Sequence, residues 1–301
     1  MSASPAVRLV TAAHLPDLAP DDQELLHALR RRGVTTEVAV WDDPAVDWAA
    51  APVTVVRSVF DYHLRRDEFV AWVDRVEPLT QLFNPPEIIR WNSHKSYLLR
   101  LAESGIPTIP TEYAYQGRPL DLGAVMAARN WPEVVVKPAV AASAHGALKV
   151  TAADVPAGQA HLDALLRSVD ALVQPYLYDF ETTGETSVIW LGGKQTHSVR
   201  RPSGMHSTLE VAHVGAPLDP LPAEVDFART AYEWIAPEPL YARIDVLNTR
   251  DHGLLLLELE LVEPALYLRH SAAIADTFAA AVQSLAEDRT AAAGAGRHGA
   301  R

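Results

Sequence analysis

Up to Pro85 the chain alternates between apolar runs typical of strands and amphipathic stretches typical of helices. VRLVTA, TEVAVW and VTVVRS have the length and β-branched content of strands. DDQELLHALRRRG has acidic residues at its start and Gly33 at its end, as helices do, and DEFVAWVDRV also has a helical period. A short strand, TQLFN, stops at Pro85 and Pro86. This alternation predicts an α/β domain with a largely parallel sheet.

After Pro86 the pattern changes to predicted hairpins with fewer helices. SHKSYLLRLAESGIP predicts a helix that begins at Ser93, with Lys95 in its first turn, and ends at Gly105. PEVVVKPA, ALKV and ALVQPYL predict strands, and TSVIWLGG with KQTHSVRRP predicts a hairpin. LYARIDVLNTRDHGLLLLELEL predicts two strands joined by a turn at 251–253. Further helices are predicted at VDFARTAYEWI and SAAIADTFAAAVQSLAED.

These changes of pattern divide the chain into predicted units. A first α/β domain covers 1–88, and two further parts cover 89–178 and 179–288. The remainder, 289–301, is predicted to be a flexible tail.

Composition narrows the classes of function. The 301 residues carry a formal net charge of −12, which predicts neither a nucleic-acid partner nor an anionic membrane surface. There is no cysteine, so disulfides, thiolate metal sites and a cysteine nucleophile are excluded. We find no leader-like segment at the start and no apolar run of the ~20 residues that a membrane span needs. We therefore predict a cytoplasmic protein.

The run LLLLELELVEP contains two carboxylates in an otherwise apolar strand. Glu258 and Glu260 are two residues apart and share a face of the strand. Two alternatives are open: an edge strand with one wet face, or a site in which a divalent cation such as Mg²⁺ relieves the repulsion. Asp245 and Arg243, in ARIDV on the partner strand, share a face, so pairing would bring a third carboxylate within reach.

Two lysines are candidates for binding phosphate groups. Lys137 ends the buried run EVVV before the small-residue loop VAASAHG, and Lys95 lies near a predicted helix start. Backbone N–H groups of the loop, with Ser143 and Gly146, would cover phosphates. The alternatives are a surface lysine at position 95 and an ordinary loop of small residues.

The order of these motifs resembles that of the ATP-grasp ligases, the group that contains glutathione synthetase and D-alanine–D-alanine ligase. The resemblance covers roughly residues 85–288 and is carried, in order, by NSHKSYLLRLAESGIPTIPT, VVVKPAVAASAHGA, ALVQPYLY, GETSVIWLGGK, SVRRP, ARIDV and LELEL. It implies a Rossmann-like N-terminal pre-ATP-grasp domain followed by a two-subdomain ATP-grasp fold, α/β overall and α+β in the grasp part.

The resemblance implies a nucleotide site. Lys95 and Lys137 would hold the phosphates of ATP, and Glu185 would contact the ribose. Four residues of the linker strand would form the adenine-binding hinge: Gln174, Pro175, Tyr176 and Leu177. Either Arg200 or Arg201 would face the transferred phosphate, since neighbours on a strand point to opposite faces.

The resemblance also implies a metal site and a reaction. Asp245, Glu258 and Glu260 would bind Mg²⁺, and Arg243 would steady an acyl phosphate. The family usually has Glu-x-Asn where this chain has Glu-Leu-Glu, which leaves the ligand set open. A carboxylate would attack the γ-phosphate of ATP, and a nitrogen nucleophile would then displace phosphate. A movable loop at 139–147 would exclude water.

The segment RSVFDYHLRRDEF follows a strand of the first domain and is a candidate substrate site. Arg57, Asp61 and Tyr62 would recognise the carboxylate and ammonium of an amino acid, or they form a capped loop with an exposed arginine. With DDP and DW upstream and RWN downstream, the segment resembles a branch of ATP-grasp ligases that includes the cyclo-ligase of cycloserine biosynthesis. That branch implies activation of O-ureido-D-serine and closure of a ring within the same molecule.

Three functions follow from these expectations. The first is an ATP-dependent ligase that acts on a small amino-acid-like acid, with an internal nucleophile. The second is an amide or peptide ligase with a separate amine acceptor, and the third is a nucleotide-binding regulator without catalysis. By analogy with the family, the subunits are expected to pair as a homodimer.

Overall fold

The computed structural model of the chain describes residues 5–142, 145–201 and 215–298, without the side chains of 290 and 292–298. The helices in the described residues are α1 (Pro20–Arg31), α2 (Arg66–Val76), α3 (Pro86–Asn92), α4 (Tyr97–Glu103), α5 (Leu122–Arg129), α6 (Val155–Leu165), α7 (Asp179–Thr182), α8 (Pro222–Glu233) and α9 (Ala272–His298). The strands are β1 (Val7–Thr11), β2 (Thr36–Val40), β3 (Val53–Ser58), β4 (Gln81–Phe83), β5 (Glu112–Ala114), β6 (Glu133–Pro138), β7 (Leu148–Thr151), β8 (Ala171–Pro175), β9 (Glu185–Leu191), β10 (Lys194–Arg201), β11 (Ala216–Pro217), β12 (Tyr241–Thr249) and β13 (Gly253–Glu260).

The first domain is built on a parallel sheet with strand order β2-β1-β3-β4. The two central strands are buried along their whole length, as strands covered by helices on both faces are. α1 begins with a proline and two acidic residues, which suit the positive end of the helix dipole. The predicted α/β first domain is therefore confirmed.

Two antiparallel sheets follow, with strand orders β5-β8-β6-β7 and β11-β10-β9-β12-β13. In the second sheet, β12 pairs with β13 so that Asp245 faces Glu258 and Arg243 faces Glu260. A bulge between Asp245 and Val246 shifts the register just beyond these pairs. The predicted hairpin is confirmed, and its pairing places Asp245 opposite Glu258.

β13 lies at the edge of its sheet, yet its outer side is covered. The Leu256 N–H donates to the Pro107 carbonyl at 2.8 Å, and the Ile109 N–H donates to the Leu256 carbonyl at 3.4 Å. Further along, the Asn92 side chain donates to the Leu259 carbonyl at 2.8 Å. Residues 92 and 107–109 therefore replace water at these backbone groups, while Glu258 and Glu260 are only partly buried. The edge position of the first alternative is observed, and the metal site of the second stays a prediction.

Two boundaries differ from the sequence prediction. The helix predicted from Ser93 begins at Tyr97, since Ser93 instead follows the end of α3, where its N–H donates to the Ile89 carbonyl at 3.1 Å. Lys95 therefore lies in the turn between two helices rather than in the first turn of one. The last helix continues to His298 instead of ending at Asp288. None of the helices in the described residues is long and apolar enough to cross a membrane.

Candidate active site

A cavity of about 240 Å³ opens where the first domain meets both antiparallel sheets. The first domain contributes Phe60 and Tyr62 to its wall. Most of the predicted site residues also line it: Lys95, Lys137, Gln174, Pro175, Tyr176, Leu177, Glu185, Arg201, Arg243, Asp245, Glu258 and Glu260. Residues far apart in the sequence are therefore gathered around one space.

Both predicted phosphate-binding lysines contact Glu258. The Lys95 Nζ lies 2.8 Å and the Lys137 Nζ 3.5 Å from Glu258 Oε1. Burial opposes the charge of Glu258, but the two lysines outweigh it and hold the pKa of the carboxyl well below its usual range. Burial lowers the pKa of both lysines. At Lys95 the close contact with Glu258 outweighs burial and raises the pKa. At Lys137, which lies farther from Glu258, burial and the neighbouring charge of Lys95 leave the pKa lowered.

Arg243 holds the two other predicted metal ligands. Its guanidinium donates from Nε to Asp245 Oδ1 at 3.0 Å and from Nη2 to Asp245 Oδ2 at 3.0 Å, and it also donates to Glu260. The Ser187 hydroxyl donates to Asp245 at 2.6 Å. Arg243 and Asp245 are both buried, so this pair is a rigid part of the pocket floor.

Arg201 is the arginine of β10 that faces the cavity. It lies 2.5 Å from Glu185 and 3.4 Å from Asp245. Arg200 points the other way: it donates to the Thr183 carbonyl at 3.0 Å and does not line the cavity. Of the two arginines left open by the sequence, the geometry selects Arg201.

The cavity holds more acidic charge than its cations neutralise. Burial raises the pKa of Glu185 to about 7, with Asp245 adding to the shift. Burial, together with Asp245 and Glu258, also raises the pKa of Glu260 to about 7. Burial and the neighbouring Glu260 raise the pKa of Glu263 to about 8. Such crowding favours the arrival of a cation.

The predicted hinge lies on β8 and the residues after it. Gln174 pairs with Val135 in the sheet and its side chain donates to the Thr111 hydroxyl at 2.8 Å. The Tyr176 N–H donates to the Glu133 carbonyl at 2.9 Å. These bonds hold Gln174 and Tyr176 at the wall of the cavity, and the adenine-binding role of 174–177 stays a prediction.

The described parts of the loop, residues 139–142 and 145–147, line the cavity and reach the first domain. The His145 ring lies 5.4 Å from the His63 ring, centroid to centroid. Gly146 has φ +73°, and its carbonyl accepts from His161 Nε2 at 2.8 Å. His145 and Ala147 line the cavity whereas Gly146 does not. Ser143 lies outside the described residues.

Two predicted substrate residues are not in the cavity. Arg57 is fully buried, donates to Asp22 at 2.8 Å and to the Pro264 carbonyl at 2.6 Å, and is not available to a substrate carboxylate. Asp61 accepts from Trp41 Nε1 at 3.0 Å and from Arg65 at 2.8 Å. Both assignments are corrected: these residues are used by the fold, and only Tyr62 faces the cavity.

Glu263 was missed by the sequence analysis although it lines the cavity. It lies just beyond β13, in the same LELELVEP run as the two predicted carboxylates. Strand alternation would place Glu263 on the opposite face from Glu258 and Glu260, so the period of the run carried no signal for it. Tyr97 and Phe180, which also line the cavity, carried no signal either.

Within the described residues, no three His, Asp or Glu side chains are grouped so that they could hold a metal ion on their own. The three predicted ligands are each engaged by lysine or arginine. Their oxygen donors nevertheless suit Mg²⁺, which proteins commonly bind through one or two carboxylates together with substrate phosphates.

Comparisons with known proteins identify the family. Residues 7–84 match the family model described as D-cycloserine synthetase DcsG, N-terminal domain. The chain is 32% identical over 294 residues to the cycloserine biosynthesis protein DcsG of Streptomyces lavendulae, a match that covers 93% of this chain and 97% of that protein. The chain belongs to the DcsG family of ATP-grasp ligases.

Solved structures agree with membership of the DcsG family. The crystal structure of D-cycloserine synthetase DcsG is similar with a TM-score of 0.82 and 28% identity, covering 93% of this chain and 99% of that chain. D-alanyl-alanine synthetase A from Vibrio cholerae has a TM-score of 0.67 at 15% identity, covering 96% and 99%, and supports the fold alone. The predicted ATP-grasp fold is confirmed, and the chain is an ATP-dependent ligase that forms carbon–nitrogen bonds.

Proposed function

We propose that this ligase activates the carboxylate of O-ureido-D-serine with ATP and closes the ring of D-cycloserine. The observation that carries the proposal is the end-to-end similarity to the cycloserine biosynthesis protein, in a chain whose lysines, arginines and carboxylates converge on one cavity. The proposal extends the established ligase activity to one acid and to an internal nucleophile.

The nucleotide end of the site is formed by the hinge and the lysines. The backbone of 174–177 would hold the adenine, and Lys95 and Lys137 would exchange Glu258 for phosphate oxygens. Mg²⁺, bound by Glu258, Glu260 or Asp245 with those oxygens, would neutralise charge that develops during phosphoryl transfer. Glu185 holds Arg201 in position and would meet the ribose edge.

The chemistry proceeds in two steps. The substrate carboxylate attacks the γ-phosphorus and ADP leaves, giving an acyl phosphate. The oxyamine nitrogen of the ureido group then attacks the acyl carbon, and phosphate leaves with closure of a five-membered ring. Arg243 and Arg201 would stabilise the charge on the transferred group. The carbamoyl group left on the ring nitrogen is lost by hydrolysis as ammonia and carbon dioxide.

The test is ADP release from the purified protein with Mg·ATP and a panel of D- and L-amino-acid derivatives that includes O-ureido-D-serine, each with and without an added amine. We expect ADP without an added amine, together with a product lighter by one water or the ring after loss of its carbamoyl group. ADP that forms only when an amine is added would instead indicate an intermolecular ligase. If the protein binds ATP but forms no ADP with any acid of the panel, the proposed function is contradicted.

A further inference from the structure

Glu263 differs from the other acidic residues of the cavity in having no cationic partner. Glu258 is paired with lysines, and three further carboxylates are paired with arginines: Glu185, Asp245 and Glu260. Glu263 lines the same cavity, and in the described part of the chain it forms no ion pair. A carboxylate that faces a cavity without a counter-charge is suited to receive a cationic ligand.

The backbone around Glu263 is held on both sides. The Val262 carbonyl accepts from the Tyr241 hydroxyl at 2.8 Å, and the Pro264 carbonyl accepts from Arg57 at 2.6 Å. Asp21 accepts from the Leu266 N–H at 3.2 Å. Glu263 is therefore presented to the cavity by a segment that is fixed before any ligand arrives, as preorganised binding sites require.

The surroundings of Glu263 fit an ammonium group. Tyr62 of the first domain is close enough that, after burial, Glu263 is the largest electrostatic cause of its raised pKa. Phe60 lines the same cavity, and aromatic rings attract cations. Lys95 and Arg243, which are proposed to act at the reacting end of the cavity, line the same cavity as Glu263, although neither is paired with it in the described residues.

Proximity to that end matters because the α-ammonium group of an amino acid is attached to the carbon next to the reacting carboxyl. The cation and the reacting group must therefore be bound side by side. We propose that Glu263 binds the α-ammonium group of the substrate, and that this contact makes the ligase selective for α-amino acids. The inference rests on the proposed function, whose acid carries one such group.

The test compares wild type and Glu263→Gln with two acids: O-ureido-D-serine and its analogue without the α-amino group, 3-(ureidooxy)propanoic acid. We expect Glu263→Gln to raise KM for the amino acid by about 30-fold or more with little change in kcat, since one partner of a buried charge pair is lost. Activity on the analogue should be the same in both proteins. Glu263→Asp should recover part of the lost affinity.

Two controls separate this effect from damage to the fold. Glu103→Gln removes an exposed carboxyl on α4 and should leave KM unchanged. The affinity for a non-hydrolysable ATP analogue, measured by calorimetry, should be the same in Glu263→Gln as in wild type. The α-amino acids of the panel are then titrated into each nucleotide-loaded protein.

The outcomes distinguish the inference from the proposed function. Suppose that the wild type is active. If Glu263→Gln then keeps the wild-type KM and the preference for the amino acid, or if it loses only kcat, the ammonium contact is overturned and the proposed function stands. A wild type that makes no ADP, yet binds α-amino acids through Glu263 in the titration, would overturn only the proposed function. Absence of both turnover and amino-acid binding would overturn both.

Discussion

At the scale of single residues, Arg200 and Arg201 are neighbours on β10, and Arg201 lines the cavity whereas Arg200 bonds to the Thr183 carbonyl. Strand alternation predicts that only one of Arg200 and Arg201 faces the cavity, but it does not say which, because the phase of the strand depends on the sheet. The pairing of β10 with β9 fixes that phase and turns Arg201 towards Glu185. The two neighbours therefore provide a matched pair for mutation.

We expect Arg201→Gln to lower kcat by about 10²–10³-fold, the usual effect of removing a preorganised charge donor from a reacting site. Arg200→Gln removes a hydrogen bond to a backbone carbonyl outside the cavity and should change kcat by less than about 3-fold. Steady-state ADP release at saturating ATP and acid measures both. Equal losses in the two variants would contradict the assignment of Arg201.

Glu263 should also affect stability as a function of pH. Its pKa is raised to about 8 in the folded chain, above the ordinary value of about 4.3, so the folded state keeps a proton that the unfolded state has lost. Its contribution to stability is therefore present at low pH and is lost as the pH rises towards 8. Glu263→Gln should relieve this loss.

The ligand-free Glu263→Gln variant should melt higher than wild type at pH 8 and at nearly the same temperature at pH 5. A relief of about 1 kcal/mol corresponds to a rise of roughly 2–4 °C. Thermal unfolding of both proteins across this pH range measures the difference. A gap of the same size at both pH values would show that ionisation of Glu263 is not its cause.

Arg57 and Glu263 show why residue roles were partly misassigned. An arginine at the end of a buried strand has the same sequence pattern whether its side chain points into a ligand site or into the protein core. The sequence does not reveal that Asp22 of α1 and the Pro264 carbonyl lie where Arg57 ends. Conversely, a glutamate before a proline resembles an ordinary loop residue until the cavity around it is known.

At the scale of elements, periodicity predicted the longer strands and hairpins but missed β5, α5 and α6. α6 contains Pro156 and Gly158, which weaken a helical prediction. Gly158 is needed for packing: a Cβ there would lie 2.6 Å from a methyl group of Val150. The close approach of α6 to β7 is a tertiary constraint that a local pattern does not express.

The loop between β6 and β7 should control how well ATP use is coupled to product formation. His145 lines the cavity and lies against His63 of the first domain, so removing its ring is expected to open a path for water to the proposed acyl phosphate. We expect His145→Ala to release at least about twice as much ADP per molecule of product as wild type. ADP and product, quantified in the same reaction, give this ratio.

His27 on α1 provides the control, because it is exposed and does not line the cavity. His27→Ala should keep the wild-type ratio of ADP to product. If His145→Ala keeps that ratio as well, the loop does not protect the intermediate.

At the scale of the whole molecule, two arginine–aspartate ion pairs involve the first domain, and both arginines also connect it to the C-terminal part of the chain. Arg57 and Asp22 form a buried pair, and Arg57 also donates a hydrogen bond to the Pro264 carbonyl. Arg31 of α1 pairs with Asp276 of α9 at 3.0 Å, where both side chains are about half exposed. The same ion pair in two environments makes a direct comparison of burial possible.

We expect Arg57→Gln to lower the free energy of unfolding by about 3–5 kcal/mol, because it leaves Asp22 buried without a counter-charge. Arg31→Gln should cost no more than about 1 kcal/mol, since water replaces the lost partner. Urea unfolding of the two variants measures the difference. Similar costs would show that the buried pair does not fasten the domain.

Asn84 links the first domain to strands far along the chain. Its side chain donates to the Tyr241 and Leu261 carbonyls at 2.9 and 2.7 Å and accepts from the Leu240 N–H at 2.7 Å. This residue is also the last one in the segment that matches the N-terminal family model. A recombination breakpoint after residue 84 would therefore separate an amide from all three of its partners. The segment that sequence comparison treats as a module is therefore expected to depend on the last strands for its fold, and homologues should keep asparagine at this position because only its amide meets both carbonyls and the N–H.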